Sequence, residues 1–509
     1  MININVKKNE KVAFVSSIIV GFISYGYIIT HNFLTYDSMW NIYSDQNMIS
    51  SGRPFLMYAC KISSDYNLPW FNGLLAIFYL ALNAIMLVKC FGTEREITSV
   101  LIGALVASFP SVTSTFAYSF TVDGYMLAIL LATLAVWISS KYRFGYIMSI
   151  FILGISIGIY QAYFSYAIVL CILILVCDIL RGNKLKDILI KAAKFVGMGA
   201  GGYLFYVIAL KVMLKLQDVE LSGYQGTDSV TSLNLSVLPT GLKTAFWSFI
   251  DFARWANVLT TTVPMKIAFI GMVCICAFEI IYILIKKKIY RSIPSLVILV
   301  ALLLALPFGA TMVSIISPNT YIHLLIRMPW ALLFVFTVVV AEDIYSYSGF
   351  DRNSMISKVV LVGKAFCFVM VFEFALVANI VGFNMNERYE KTYATCVRIV
   401  DRLEQTEGYE TGMPVAILGG FPNEDNYPHT DITKDDLSGY FGVDGELCVN
   451  STGKYAEFMK HYLNVTITVA DADRELELAE TDAFAKMSNF PAKDSIRCVD
   501  GVWIVRING

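Results

Sequence analysis

FGYIMSIFILGISIGIYQAYFSYAIVLCILILVCDIL, residues 144–180, is the stretch on which the fold turns. A helix needs about 20 apolar residues to cross a hydrocarbon core. This run is therefore either one overlong helix or two spans joined at Tyr160-Gln161-Ala162-Tyr163. The flanking charges choose between them. Lys141 and Arg143 precede the run, and Arg181, Lys184 and Lys186 follow it. Basic residues stay on the cytoplasmic side, and both ends lie there only if the run doubles back. The expected structure is a hairpin, 144–160 and 162–180, with a polar-aromatic tip at the outer surface.

Working outward, apolar runs of span length recur at 12–30, 69–88, 97–117, 125–139, 188–210, 264–285, 293–313, 321–341 and 359–381. With the hairpin that makes about eleven spans. Lys89 with Arg95, Lys286-Lys287-Lys288 with Arg291, and Arg352 with Lys358 all fall inside by alternation. The first run follows Lys7, Lys8 and Lys11, with no small-residue cleavage site after it, and reads as a retained signal anchor whose N-terminus is inside. An odd number of spans puts everything after residue 381 outside. The fold class expected is an α-helical polytopic membrane protein with a small C-terminal α/β extracytoplasmic domain. Residues 1–381 form the transmembrane part, with outer loops at 30–68 and 215–263, and residues 382–509 form the domain.

Composition agrees with this reading. Of the 509 residues, 57% are apolar and only 16% charged, too little polar surface for a soluble multidomain protein. A net charge of −1 gives no bulk attraction to nucleic acid. The 10 cysteines show no CxxC or Cys/His ligand spacing, which argues against a zinc site and a dense disulfide scaffold. Cys171, Cys177, Cys274, Cys276 and Cys367 lie in apolar runs as packing material. Cys448 and Cys498 lie in the C-terminal segment, where an oxidising compartment would permit a disulfide between them, and that pairing stays open.

The outer segments are where chemistry is expected. In 30–68, the spacing of Met39, Trp40, Ile42, Tyr43, Met48 and Ile49 predicts a short amphipathic helix at the interface. In 215–263, a polar stretch at 222–228 precedes an aromatic one around Trp247, Phe252 and Trp255, expected to rest on the membrane surface. After 381, residues 386–405 read as a helix, 414–418 and 465–469 as strands, and 496–499 with 502–507 as a hairpin around Asp500-Gly501, suited to a type I′ turn.

Polar groups beside an apolar groove are what an enzyme acting on a lipid-linked substrate requires. Asp37 and Asp45 in the first outer loop are carboxylates able to take a proton from an acceptor hydroxyl, and Arg53 is a guanidinium able to hold a phosphate. The alternative is equally open: Asp37 caps the helix that follows, and Arg53 snorkels. Asp123 reads as a second-turn residue near the site or as an Asp-Gly turn. Tyr160, Gln161 and Tyr163 read as a platform for a sugar or as an interfacial belt. His323 and Arg327, at i, i+4, read as a lipid-phosphate pair or as an interfacial cluster. Glu373 falls near the middle of the last span, with Lys364 the nearest basic residue along the chain.

Tyr36-Asp37, Ser51-Gly52-Arg53, Gly158-Ile159-Tyr160-Gln161-Ala162-Tyr163 and Pro414-Val415-Ala416-Ile417-Leu418-Gly419-Gly420 resemble the serotype-converting O-antigen glucosyltransferases of the Gtr type, over nearly the whole chain. Those proteins are similar in layout to GT-C glycosyltransferases. The resemblance implies a bacterial inner-membrane enzyme that moves glucose from undecaprenyl phosphate to the O-antigen of lipopolysaccharide at the periplasmic face. A flippase and a polyprenyl-phosphate glucosyltransferase would be its functional partners. It implies Asp37 as base, Asp45 second, and Arg53 at the donor phosphate. No cofactor is expected, and no ligand cluster in the sequence requires a divalent metal. A lipid-linked oligosaccharide transporter and, among enzymes, an O-antigen polymerase or an acetyltransferase are the competing readings.

Overall fold

The computed structural model describes residues 6–31, 33–223, 235–254, 258–348, 354–421, 437, 439–443 and 445–507. Residues 224–228 of the polar stretch, Trp255 and Arg352 lie outside the described residues. In chain order the first helices are α1 (Lys8–Thr30), α2 (Leu56–Cys60), α3 (Pro69–Phe91), α4 (Glu96–Ser108), α5 (Pro110–Phe116), α6 (Val122–Lys141), α7 (Gly145–Ile159), α8 (Tyr163–Arg181) and α9 (Leu185–Gln217). There follow α10 (Leu238–Arg254), α11 (Val263–Lys286), α12 (Ile293–Ala310), α13 (Met312–Ile316), α14 (Pro329–Ser348) and α15 (Met355–Glu404).

Each expected span contains a helix. Among the described residues nine helices are long and apolar enough to cross a membrane, and α4 with α5 makes a tenth that bends by 42°. The bend sits at Phe109, held extended (φ −57°, ψ 138°) because the ring of Pro110 disfavours helical dihedrals at the residue before it. The eleventh is α7, whose 15 residues fall short of the roughly 20 that a straight span needs.

The hairpin is present. Tyr160 leaves helical geometry at φ −154°, ψ 111°, and α8 starts three residues later, which excludes a single overlong helix. The tip is stitched to the first outer loop. A Cβ at Gly158 would lie 2.4 Å from the Phe55 ring, so only glycine lets that ring seat there. Phe55 N donates to Gly158 O (3.0 Å), and Gln161 Nε2 donates to Ser51 O (2.9 Å) and Gly52 O (2.7 Å).

The basic flanks gather at the opposite end. Lys8 pairs with Glu96 (2.7 Å), Lys89 with Glu10 (3.6 Å), and Arg181 with Asp343 (3.0 Å). Arg181 also donates to Phe91 O (2.7 Å), Lys287 donates to Arg181 O, and Arg95 stacks on Tyr345 at 4.4 Å. These contacts tie α1, α3, α4, α8, α11 and α14 together through the residues that the charge pattern places on one side.

Two expectations are corrected and one open pairing is decided. Residues 39–49 of the first outer loop form no amphipathic helix; they run between two 3-10 turns, Ser38–Trp40 and Ile49–Ser51, ahead of the five-residue α2. Between them Gln46 takes a left-handed φ of 56°, and Asp45 Oδ1 accepts from Asn47 N (3.0 Å), an Asx turn that competes with helix. Cys448 and Cys498 do not pair: both are free, Cys448 buried and Cys498 exposed. Burial pushes the Cys448 thiol up to about 11. Glu373 is not isolated at mid-depth, because α15 begins ahead of the expected span and carries it to Thr262, whose Oγ1 donates to it (2.7 Å) at the start of α11. Lys364 instead faces a small space shared with Glu279, a buried carboxylate on α11.

The helix α15 runs without a break across residue 381 for 50 residues, about 75 Å at 1.5 Å per residue. Beyond the apolar part it packs on a four-stranded sheet of β1 (Pro414–Leu418), β2 (Thr468–Val469), β3 (Ile496–Val499) and β4 (Val502–Arg506), in the order β2-β1-β4-β3. The strand expected at 465–469 is therefore two residues long. The closing hairpin turns at Asp500 (φ 48°) and Gly501 (φ 81°), the two left-handed residues of a type I′ turn. Arg388, 2% exposed, binds this unit to the first outer loop: it donates to Gly442 O and to Leu447 O (2.6 Å) and lies 5.3 Å from the Tyr36 ring.

Candidate functional site

Two cavities open among the helix ends at the stitched hairpin tip, and Thr320 lines both. The first, about 100 Å³, is walled by apolar side chains, Ile157, Phe164, Met312, Val313 and Ile316 among them, and carries Arg53 and Gln161. Arg53 comes from the first outer loop, directly after the turn that Gln161 holds. Its guanidinium lies over the Tyr160 ring at 4.9 Å, and its Nη1 donates to Tyr125 Oη (2.9 Å). Its Nε is buried without a hydrogen-bond partner among the described residues. No carboxylate forms an ion pair with it among the described residues. A guanidinium lined by aromatic rings and left with a free donor is an anion site in waiting, since burying an unpaired charge is costly. Tyr125 stacks on Tyr160 at 4.5 Å, and Tyr163, fully buried, meets Tyr160 edge-on at 5.1 Å. Tyr163 thus supports the platform from behind and does not line the cavity.

The second cavity, about 680 Å³, is more polar. The helix α10 supplies Lys243, Trp247, Ser248, Asp251 and Phe252, and the chain before α14 supplies Tyr321 and Arg327. Gly439, from the C-terminal segment, also lines it. Arg327 fastens the two walls: its Nη1 donates to Ser248 O (3.1 Å), its Nη2 to Ser248 Oγ (2.8 Å), and it lies 5.1 Å from the Phe252 ring. On its other side α10 packs on α13, where a Cβ at Gly241 would come 2.5 Å from Ile315 O, and Thr311 Oγ1 donates to Ala245 O (2.8 Å).

The sequence candidates divide. Arg53, Tyr160 and Gln161 meet in the first cavity and Arg327 lines the second. Asp37, Asp45, Asp123 and His323 are not among the described residues lining either. Asp37 is exposed and forms no side-chain cap on the turn that follows it. Its charge faces Lys454 of the C-terminal segment, whose amine burial lowers. Asp45 is exposed, and its Oδ1 accepts from Asn47 N in the Asx turn. Asp123 is buried in the first turn of α6, not in a tight turn, and the Ser63 hydroxyl and Gly124 amide face it without a hydrogen bond of good geometry. His323 precedes a 3-10 turn, Leu324–Arg327, so it and Arg327 do not share an α-helical face; its ring packs on Tyr321 at 4.8 Å. Asp251 and the cavity face of α10 escaped the sequence reading. The signal was there in Lys243, Trp247 and Asp251, spaced four apart as one stripe of a helix.

Among the described residues no three His, Cys, Asp or Glu side chains converge as metal ligands. No curated protein matches the chain, and no solved structure does. A family model described as glucosyl transferase GtrII matches residues 26–340. That is more than half of the 509 residues and takes in every lining residue of both cavities except Gly439. The chain therefore belongs to the glucosyl transferase GtrII family and is a glycosyltransferase.

Proposed function

We propose that the enzyme moves glucose from undecaprenyl phosphate to the O-antigen of lipopolysaccharide at the periplasmic face of the bacterial inner membrane. The observation that carries this reading is the Arg53 guanidinium, without a carboxylate partner among the described residues, at the polar part of an apolar-walled cavity. A polyprenyl phosphate has the matching form, a phosphate head on a hydrocarbon tail. The tail lies along Ile157, Phe164, Met312, Val313 and Ile316, the phosphate meets Arg53, and the glucose points toward Thr320. Sidedness follows from charge: the ion-paired basic flanks belong in the cytoplasm, and the cavities lie at the other end of the bundle.

Phosphate attached to the anomeric carbon is a competent leaving group, and Arg53 stabilises the charge that grows on it as the bond breaks. A cytoplasmic enzyme that charges the lipid and a flippase that turns it outward complete the supply. Mass spectrometry of O-antigen from cells with and without the gene tests the reading. A gain of one hexose per repeat is expected. An acetyl increment, altered chain length or unchanged repeats with altered export would each replace it, with an acetyltransferase, a polymerase or a transporter respectively.

A further inference from the structure

The geometry points to the second cavity as the subsite for the acceptor sugar, with Asp251 as the general base that takes the proton of the attacking hydroxyl. This rests on the glucosyl-transfer reading and adds the half of the site that the reading leaves empty.

Three observations carry it. The cavity, about 680 Å³, falls within the roughly 300–1,000 Å³ usual for small-molecule sites. Its walls suit a saccharide: Trp247, half-exposed, offers a flat apolar face for a sugar ring, and Lys243, Thr244, Ser248 and Tyr321 surround it with donors and acceptors. Asp251 is the one carboxylate among the described residues that line either cavity. It lies exposed on α10, one turn from the Ser248 that Arg327 holds.

Because Thr320 borders both cavities, a donor whose phosphate rests on Arg53 and an acceptor resting on Trp247 approach each other there. The acceptor oxygen attacks the anomeric carbon from the side opposite the phosphate. The oxygen–carbon bond forms as the carbon–oxygen bond to phosphate breaks, and the electron pair departs on the phosphate monoester, whose charge Arg53 meets. The hydroxyl proton passes to the Asp251 carboxylate and leaves it to solvent afterwards. Such a displacement inverts the anomeric centre.

The test uses the full-length enzyme in proteoliposomes, with polyprenyl-phosphate glucose as donor and lipopolysaccharide as acceptor. Asp251→Asn should lower kcat at least 100-fold with the donor KM unchanged, and Asp251→Glu should recover part of it. Trp247→Ala should raise the acceptor KM several-fold and leave the donor KM alone. A kcat for Asp251→Asn within tenfold of wild type overturns the assignment of the base. An unchanged acceptor KM in Trp247→Ala overturns the subsite, and that variant decides even if the Asn variant does not fold. A wild-type enzyme that transfers no glucose from this donor sinks the underlying reading instead, so the two failures are distinct.

Discussion

The two outer loops make opposite use of their polar residues. The first, between α1 and α3, displays Asp37 and Asp45 at its surface and sends Ser51 and Arg53 to a cavity. The second, between α9 and α11, carries a helix whose Trp247 and Asp251 turn into a cavity while its back packs on α13. Position just outside the membrane is thus no guide to which carboxylate lines a cavity. Burial does not separate them, since Asp37 and Asp251 are both exposed; what differs is that Asp251 lines a cavity. The backbone bearing Arg53 is held by Gln161 and Phe55, and the helix bearing Asp251 is held by Gly241 and Ser248.

The contrast can be broken most directly by removing one charge from each loop. Asp251→Asn is expected to cost at least 100-fold in glucosyl transfer and Asp37→Asn less than threefold, measured by hexose incorporation into O-antigen. The reverse order would return the base to the first loop. Arg53→Lys comes next. It keeps the charge but loses the planar fork over Tyr160, and a drop of about tenfold in kcat/KM for the donor, roughly 1.4 kcal/mol, is expected. An unaltered donor kcat/KM would take Arg53 out of the phosphate site.

A third variant attacks the stitch itself. Gly158→Val drives a side chain into the Phe55 ring and should destabilise the protein by about 1–3 kcal/mol, lowering its melting temperature in detergent along with its activity. A normal melt would show that the loop does not depend on the hairpin tip. The smallest effect is assigned to Asp45→Ala, which removes one Asx hydrogen bond at an exposed turn. It should cost about 1 kcal/mol or less and leave the rate of transfer unchanged; a large rate loss would mean that the loop's surface carboxylates act after all.

Much of this architecture could be read from the chain. Hydropathy located a helix at every expected span, and the basic flanks resolved residues 144–180 into a hairpin because charge placement across a membrane depends on sequence alone. Arg53, Tyr160 and Gln161 were legible for a similar reason, as polar and aromatic groups at helix ends. The face of α10 was not, although its four-residue spacing stood in the sequence, because the cavity exists only once Gly241 seats against Ile315. The expected boundary after residue 381 shows the same gap. The apolar run ends at Val381, yet α15 continues, and at Gly382 a Cβ would lie 2.8 Å from Ile28, so the residue makes room for α1.

That continuity gives α15 a geometric role of its own. An α-helix advances about 1.5 Å and turns about 100° with each residue, so the number of residues between its membrane part and β1 sets both the height and the rotational phase of everything attached to its far end. Losing or gaining a single residue there would swing Arg388 away from Tyr36 and carry Gly439 off the rim of the second cavity. Changes in the length of this helix are compatible with the site only in steps near a whole number of turns, which makes α15 a vernier that keeps the outer unit in register with the membrane below.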